Sequence, residues 1–147
     1  MPEKRKAQVL AEKVSAAITE RDAAARFLGI AVDDVGPGHA RLSMTVTETM
    51  LNGVATCHGG FTFALADTAF AHACNSSNRA AVATSCSITY PSAGKLGDRL
   101  SAQCQEVHVK GRTGIYDCTV TNQDGEVVAL FRGQSRTIRG HFVEGND

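Results

Sequence analysis

The stretch His58–Cys74, HGGFTFALADTAFAHAC, decides the fold, because it is too long for a buried strand and apolar on almost every side of a helix. A helix of this kind lies in the interior of a protein. The sequence therefore predicts a central buried helix, which two glycines open and which carries one carboxylate, Asp67. The rest of the chain must supply a sheet that wraps around it.

The segments on either side of this helix have the period-two pattern of strands. One strand begins at His39, where apolar and polar residues alternate. Four strand-like segments follow the helix: AAVATSCSITY, RLSAQCQEVHV, GIYDCTVTN and VVALFRGQSRTI. The intervening PSAGKLGD, KGRT and QDGE have the composition of turns, which predicts antiparallel hairpins. We expect an α+β domain in which a curved antiparallel sheet wraps one long helix.

A helical segment at about residues 1–28 precedes the sheet. Apolar residues recur at helical spacing between Ala7 and Ile18, with charged residues between them, as in an amphipathic surface helix. Asp22 is expected to cap a short second helical turn, which Gly29 closes.

Composition and charge argue against several classes of partner. Fifteen basic residues balance fifteen acidic ones, and no segment approaches the about 18 apolar residues of a membrane span, so we expect neither nucleic acid nor a membrane as partner. The five cysteines are scattered without C-x-x-C spacing, which favours free thiols in a reducing cytoplasm. The chain is therefore expected to form one cytoplasmic domain over residues 1–147.

Asp67 requires an explanation, because a charged carboxylate in an apolar helix costs free energy unless it is paired or hydrated. No Lys or Arg lies between His58 and Asn78, so this segment offers no cationic partner. One interpretation is structural: Asp67 accepts hydrogen bonds from Thr68, His72 or another strand. The other is functional: Asp67 lines a cavity and takes part in chemistry there.

The glycines at the start of the helix add a second feature. Gly59 and Gly60 leave backbone N–H groups uncovered at the positive end of the helix dipole, where a carbonyl oxygen that gains negative charge can bind, although such a pair also occurs in tight turns. Gly59 and Asp67 are eight residues apart on one helix, which is about 12 Å. If both act on one substrate, they belong to two chains with antiparallel helices, which predicts a homodimer with shared active sites.

The pattern LNG, CHGG, LADTAFAHACN and ITYPSAGKLGDRL resembles that of the hotdog-fold acyl-CoA thioesterases, most closely those of phenylacetic acid degradation, from about Arg26 to Arg139. The resemblance implies the hotdog fold, dimers that pair their sheets, and a homotetramer built from two dimers. It also implies hydrolysis of acyl-CoA thioesters, with an aryl or hydroxylated phenylacetyl group, to the free acid and CoA. Neither a metal nor a cofactor is expected.

Carried over by position, the resemblance makes Asp67 the catalytic carboxylate and the Gly59 N–H the group that polarises the thioester carbonyl. Asp67 then either attacks this carbonyl or deprotonates a water molecule that does. Asn52 and His58 line the site from the preceding loop. Asn52 either orients the water or is only a turn residue. His58 either contacts the substrate or only fixes the loop.

Four further residues are expected to bind substrate. Gly60 belongs to the glycine pair at the helix start. The resemblance implies a polar group, in some relatives a hydroxyl, on the strand after the helix; Ala83, Thr84 and Ser85 are the nearby choices, and Thr84 is selected. Lys110 and Arg112 in VKGRTG are the cations chosen for the CoA phosphates, because the glycines beside them let a ligand approach the backbone.

Further classes of function remain open from the sequence alone. Residues of the types that bind metals are grouped in this region, but without H-E-x-x-H or C-x-x-C spacing: Cys57, His58, Asp67, His72 and Cys74. Cys57 or Cys74 could serve as a thiol nucleophile beside a histidine. A domain that binds acyl-CoA without turnover also fits the pattern, and so does a hotdog hydroxyacyl dehydratase.

Overall fold

The structure is a computed structural model that describes residues 2–144. Its helices are α1 (Glu3–Arg21), α2 (Ala23–Leu28) and α3 (Gly59–Cys74), with a short 3-10 turn at Glu48–Met50. Its strands are β1 (Ala31–Gly36), β2 (His39–Thr45), β3 (Ala81–Thr89), β4 (Arg99–Lys110), β5 (Thr113–Thr121) and β6 (Val127–Thr137). Within the described residues, no helix is both long enough and apolar enough to cross a membrane.

The six strands form one antiparallel sheet in the order β1-β2-β4-β5-β6-β3, so that β1 and β3 are its edges. The turns KGRT and QDGE join neighbouring strands as hairpins, as predicted. PSAGKLGD does not, because β3 pairs with β6 and not with β4. The hairpin prediction was wrong there, since turn residues show that the chain bends but not which strands then pair. The sequence prediction also omitted β1, whose mostly exposed residues lack a buried apolar face.

Helix α3 packs against one face of this sheet, mainly on β2, β4 and β5. Leu65, Ala66, Ala69 and Phe70 are buried in the contact, which confirms the predicted central helix. Gly133 of β6 allows the close approach, because a Cβ atom there would lie 2.8 Å from the ring of Phe70. The α+β arrangement predicted from the sequence is therefore present.

The N-terminal segment contains the helices α1 and α2. The Asp22 side chain accepts a hydrogen bond from the Ala25 N–H at the start of α2, and Gly29 ends α2 in the left-handed conformation with φ of 70°. Both the cap and the terminating glycine are confirmed.

Helix α1 packs its buried face against the body of the molecule. Val14 and Ile18 supply apolar contacts, and the buried Ser15 hydroxyl lies 2.7 Å from Nδ1 of the buried His72 in α3. Burial lowers the pKa of His72 to about 4, so the imidazole is neutral at pH 7. This hydrogen bond joins α1 to the C-terminal half of α3.

Candidate active site

The first turn of α3 leaves one backbone N–H group free. His58 caps the helix: its Nδ1 accepts the Gly60 N–H at 2.9 Å. The carbonyl oxygen of His58 accepts the N–H groups of Phe61 at 2.9 Å and Thr62 at 3.4 Å. Within residues 2–144, only the Gly59 N–H of this turn has no acceptor. A free donor at the positive end of a helix suits an oxygen that gains negative charge.

A cavity of about 410 Å³ opens beside this donor. Its walls come from the loop before α3, from the first turn of α3 and from the segment after β3, with Asn52, Gly59 and Tyr90 among the residues that line it. The structure therefore brings two of the residues selected from the sequence, Asn52 and Gly59, to one cavity.

The contacts of Asn52 hold the loop in place. Its Oδ1 accepts the N–H groups of Val54 and Thr56, both at 3.0 Å, and its Nδ2 donates to the Thr56 hydroxyl at 2.9 Å. Of the two interpretations of Asn52, these bonds fit the turn residue. The helix cap made by His58 likewise fits a residue that fixes the start of α3.

Asp67 lies in the middle of α3, partly buried and without a hydrogen bond or ion pair to the residues that the structure describes. Thr68 and His72, the two side chains that the sequence suggested as hydrogen-bond partners of Asp67, make hydrogen bonds to other groups. Thr68 donates to the carbonyl oxygen of Ala64 at 2.7 Å, and His72 pairs with Ser15. Burial raises the pKa of the Asp67 carboxyl, and the charge of Asp22 raises it further. The structural interpretation of Asp67 therefore lacks its expected contacts.

Gly59 and Asp67 both belong to α3, in which eight residues separate them. This separation is about 12 Å along the helix axis. A single chain therefore does not place the Gly59 N–H and its own Asp67 carboxylate on one carbonyl group.

Gly60 and Thr84 make contacts within the chain. The Gly60 N–H is bonded to His58, so it is not a free donor. Thr84 is exposed on the edge strand β3, at a bulge between Ala83 and Ser85, and its hydroxyl donates to the Gln134 carbonyl at 3.1 Å. Both polar groups thus donate within the chain, and neither residue lines the cavity beside Gly59.

Lys110 and Arg112 lie at the β4–β5 hairpin, away from the Gly59 cavity. Lys110 is exposed, whereas Arg112 donates from Nε and Nη2 to the carbonyl oxygen of Thr137, at 3.2 and 3.0 Å. Arg112 also lines a second cavity of about 380 Å³ near the C-terminal end of α3, together with Arg79. Within one chain, these cations therefore lie apart from the start of α3.

The sequence prediction missed Tyr90, which directly follows β3. Its hydroxyl donates to the carbonyl oxygen of Gly59 at 2.8 Å, and its ring covers the α-carbon of that glycine. An aromatic residue between a strand and Pro91 is visible in the sequence. Its contact with a glycine 31 residues earlier is not.

The five cysteines are free thiols, and burial disfavours the thiolate form of the two that could serve as nucleophiles, Cys57 and Cys74. Burial raises the pKa of Cys57, whose sulfur accepts the Thr62 hydroxyl at 3.5 Å, and raises the pKa of Cys74 to about 12. Because nucleophilic cysteines have lowered pKa values, these shifts argue against thiol catalysis. Over residues 2–144, no group of three His, Cys, Asp or Glu residues is placed to hold a metal ion.

Comparisons with known proteins give one consistent result. The model of the thioesterase superfamily matches residues 55–129. The chain is 50% identical over 124 residues to the acyl-coenzyme A thioesterase PaaI of Escherichia coli (strain K12), covering 84% of this chain and 89% of that protein. The solved structure of E. coli PaaI, from the phenylacetic acid degradation operon, superposes with a TM-score of 0.90 at 47% identity, over 91% of this chain and 97% of that one. The structure of smu.793 from Streptococcus mutans UA159, bound to acetyl CoA, gives a TM-score of 0.73 at 30% identity, over 76% and 90% of the two chains.

Proposed function

The chain belongs to the thioesterase superfamily of hotdog-fold proteins and is an acyl-CoA thioesterase; we propose that its preferred acyl groups are aromatic, such as phenylacetyl or hydroxylated phenylacetyl. The similarity to PaaI, from the phenylacetic acid degradation operon, supports the aromatic acyl group. The observation that best supports this reaction is the Gly59 N–H at the start of α3, which has no acceptor among residues 2–144 and lies beside a cavity of about 410 Å³.

In this proposal the thioester carbonyl oxygen accepts a hydrogen bond from the Gly59 N–H. The dipole of α3 favours the negative charge that this oxygen gains. The His58–Gly59 peptide also becomes a better donor, because the His58 carbonyl oxygen accepts two N–H groups and polarises the amide. Removal of one such donor costs other enzymes about 10²- to 10³-fold in kcat.

Asp67 is the proposed catalytic carboxylate. Burial raises its pKa, which makes the carboxylate a stronger base than an exposed one, and it makes no hydrogen bond or ion pair to the described residues. It either deprotonates water that attacks the thioester carbonyl, or attacks the carbonyl itself to give an anhydride that water then cleaves. In both routes the carbon–sulfur bond breaks, CoA leaves as the thiolate, and water supplies the second oxygen of the free acid.

We place the Gly59 N–H of one chain opposite the Asp67 of a second, because the two groups are about 12 Å apart within one helix. Antiparallel α3 helices across a two-fold axis bring them together. The unpaired outer edge of β3 and the largely exposed residues of this strand support pairing of two sheets at that edge. A homotetramer of two such dimers and a cytoplasmic location are part of the same proposal.

The remaining substrate contacts follow from the dimer. Thr84 belongs to β3, the strand at the proposed interface, where its hydroxyl, which donates to the Gln134 carbonyl, can still accept a hydrogen bond in a site shared between chains. Lys110 and Arg112 share one hairpin and supply cations for the phosphates of CoA. Asn52, His58 and Gly60 hold the loop and the first helical turn around the Gly59 donor.

A panel of acyl-CoAs tests the proposal. Release of CoA is followed with Ellman's reagent, with an enzyme-only blank to subtract the five cysteine thiols of the chain. We expect phenylacetyl and hydroxyphenylacetyl thioesters to be hydrolysed faster than acetyl or decanoyl thioesters, without added metal or cofactor. Equal rates across the panel would contradict the aromatic preference. Binding without thiol release would favour an acyl-CoA sensor or a dehydratase.

A further inference from the structure

The direction of the Gly59 N–H is fixed although this group makes no hydrogen bond within the described residues. The Gly59 N–H lies in the peptide plane that joins His58 to Gly59, and glycine has wide freedom at the two torsions that link this plane to the next one. The donor is therefore held most firmly when both of these planes are held. The plane before the Gly59 α-carbon is held by the His58 carbonyl oxygen, which accepts the N–H groups of Phe61 and Thr62.

The peptide plane after the Gly59 α-carbon is held at both of its polar atoms. On one side, the Gly60 N–H donates to Nδ1 of His58 at 2.9 Å. On the other side, the Gly59 carbonyl oxygen accepts the Tyr90 hydroxyl at 2.8 Å. Of these contacts, the one from Tyr90 comes from outside the loop and helix around Gly59.

Tyr90 also explains why position 59 is a glycine. A Cβ atom on Gly59 would lie 3.0 Å from Cζ of Tyr90 and 3.1 Å from its hydroxyl oxygen, which is tighter than an ordinary contact. The ring is therefore close enough to hold the backbone only because no side chain intervenes. Burial raises the pKa of Tyr90, so its hydroxyl remains a proton donor at neutral pH.

We propose that Tyr90 is a positioning residue for thioester hydrolysis: its hydroxyl holds the Gly59 carbonyl so that the Gly59 N–H points into the cavity at the substrate oxygen. This inference rests on the proposed function of Gly59. Tyr90 neither gains nor loses a proton in the reaction and forms no bond to the substrate. It reduces the motion of a donor whose alignment determines how well the transition state is stabilised.

Tyr90→Phe tests the proposal, because it removes one oxygen atom and keeps the ring. We expect kcat to fall about three- to tenfold, the size of one neutral hydrogen bond, with KM unchanged. The shape of the pH profile should also stay unchanged, because Tyr90 does not titrate in the reaction.

Tyr116→Phe is the matched control. Tyr116 is the other tyrosine of the chain, and its hydroxyl lies 3.5 Å from Oε1 of Glu106, in the second cavity. We expect Tyr116→Phe to keep the wild-type kcat. Equal losses in the two variants, with equal losses in Tm, would show a general effect of stability and overturn the proposal. So would a wild-type kcat in Tyr90→Phe, or a change in KM alone.

Amide hydrogen exchange supplies a second test that needs neither substrate nor turnover. Loss of the Tyr90 hydroxyl releases one side of the 59–60 peptide, so the Gly60 N–H should exchange faster in Tyr90→Phe than in wild type or Tyr116→Phe. Unchanged exchange would contradict the proposal. If wild type hydrolyses none of the acyl-CoAs while this exchange difference is present, the proposed function is wrong, but the role of Tyr90 in holding the 59–60 peptide is confirmed.

Discussion

Two inactive variants are expected to restore activity when they are combined in one dimer. Gly59→Pro removes the N–H donor, and Asp67→Ala removes the carboxylate. In the mixed dimer one shared site has both defects, whereas the other combines an intact Gly59 with an intact Asp67. This expectation follows from the separation of the two residues on α3, eight residues or about 12 Å.

The structure supports proline as the substitution for Gly59. Gly59 is the first residue of α3, a position that favours proline, and His58 has the extended backbone that a residue before proline requires, with φ of −58° and ψ of 131°. The new ring crowds Tyr90, since a Cβ atom would lie 3.0 Å from its Cζ. Gly59→Ala is therefore the matched control, because it adds the same Cβ atom and keeps the N–H group.

The size of the recovery can be calculated. Each parent should retain less than about 1% of the wild-type kcat, because it lacks an oxyanion donor or the catalytic carboxylate. Random pairing places about half of the dimers in the mixed state, each with one intact site of two. The co-expressed mixture should therefore reach about a quarter of wild-type activity, and assemblies that carry both of two different tags should reach at least this share.

Thiol release from phenylacetyl-CoA measures the activity, and circular dichroism verifies that the doubly tagged species is folded. Wild type with both tags is purified in parallel. If the folded mixed dimer stays inactive while tagged wild type is active, the site is not shared between chains. The placement of Gly59 opposite the Asp67 of a second chain is then wrong.

Three further predictions concern single side chains. Asp67→Asn should lower kcat about 10²- to 10⁴-fold with KM little changed. Because burial raises the pKa of Asp67 and so opposes its charged form, the variant should unfold at an equal or higher temperature than wild type at pH 7, and this difference should shrink as the pH falls. A variant that is destabilised but active would contradict the prediction. His58→Asn keeps an acceptor for the Gly60 N–H and should retain most activity. His58→Ala lacks this acceptor, so it should lose about 1 kcal/mol of stability in urea unfolding and part of its kcat. If both variants are equally inactive, the imidazole ring contacts the substrate. The pKa of His72 is lowered from 6.5 to about 4, so as the pH falls the unfolded state binds a proton before the folded state does. The free energy of unfolding should therefore fall by up to about 3 kcal/mol between pH 6.5 and pH 4. His72→Asn, which can still form a hydrogen bond to Ser15, should lack this dependence in urea titrations at several pH values.

The candidate site could be predicted from the sequence only in part. Gly59 and Asp67 stand out locally, one as a helix start without a side chain and the other as a carboxylate in an apolar helix. The sequence left both interpretations of Asn52 and His58 open, because the choice depends on which atoms their side chains meet. The bonds from Asn52 to Thr56 and from His58 to Gly60 supply that information.

The sequence by itself determined the buried helix, the N-terminal helices with the Asp22 cap, and five of the six strands, because hydrophobic periodicity and capping signals act within a few residues. Only the tertiary structure decided the strand order, the edge position of β3 and the addition of β1. It also decided two long-range hydrogen bonds of α3, that of Tyr90 with Gly59 across 31 residues and that of Ser15 with His72 across 57. Local patterns specify which face of an element is apolar, but which distant side chain reaches a given atom depends on how all the elements pack together.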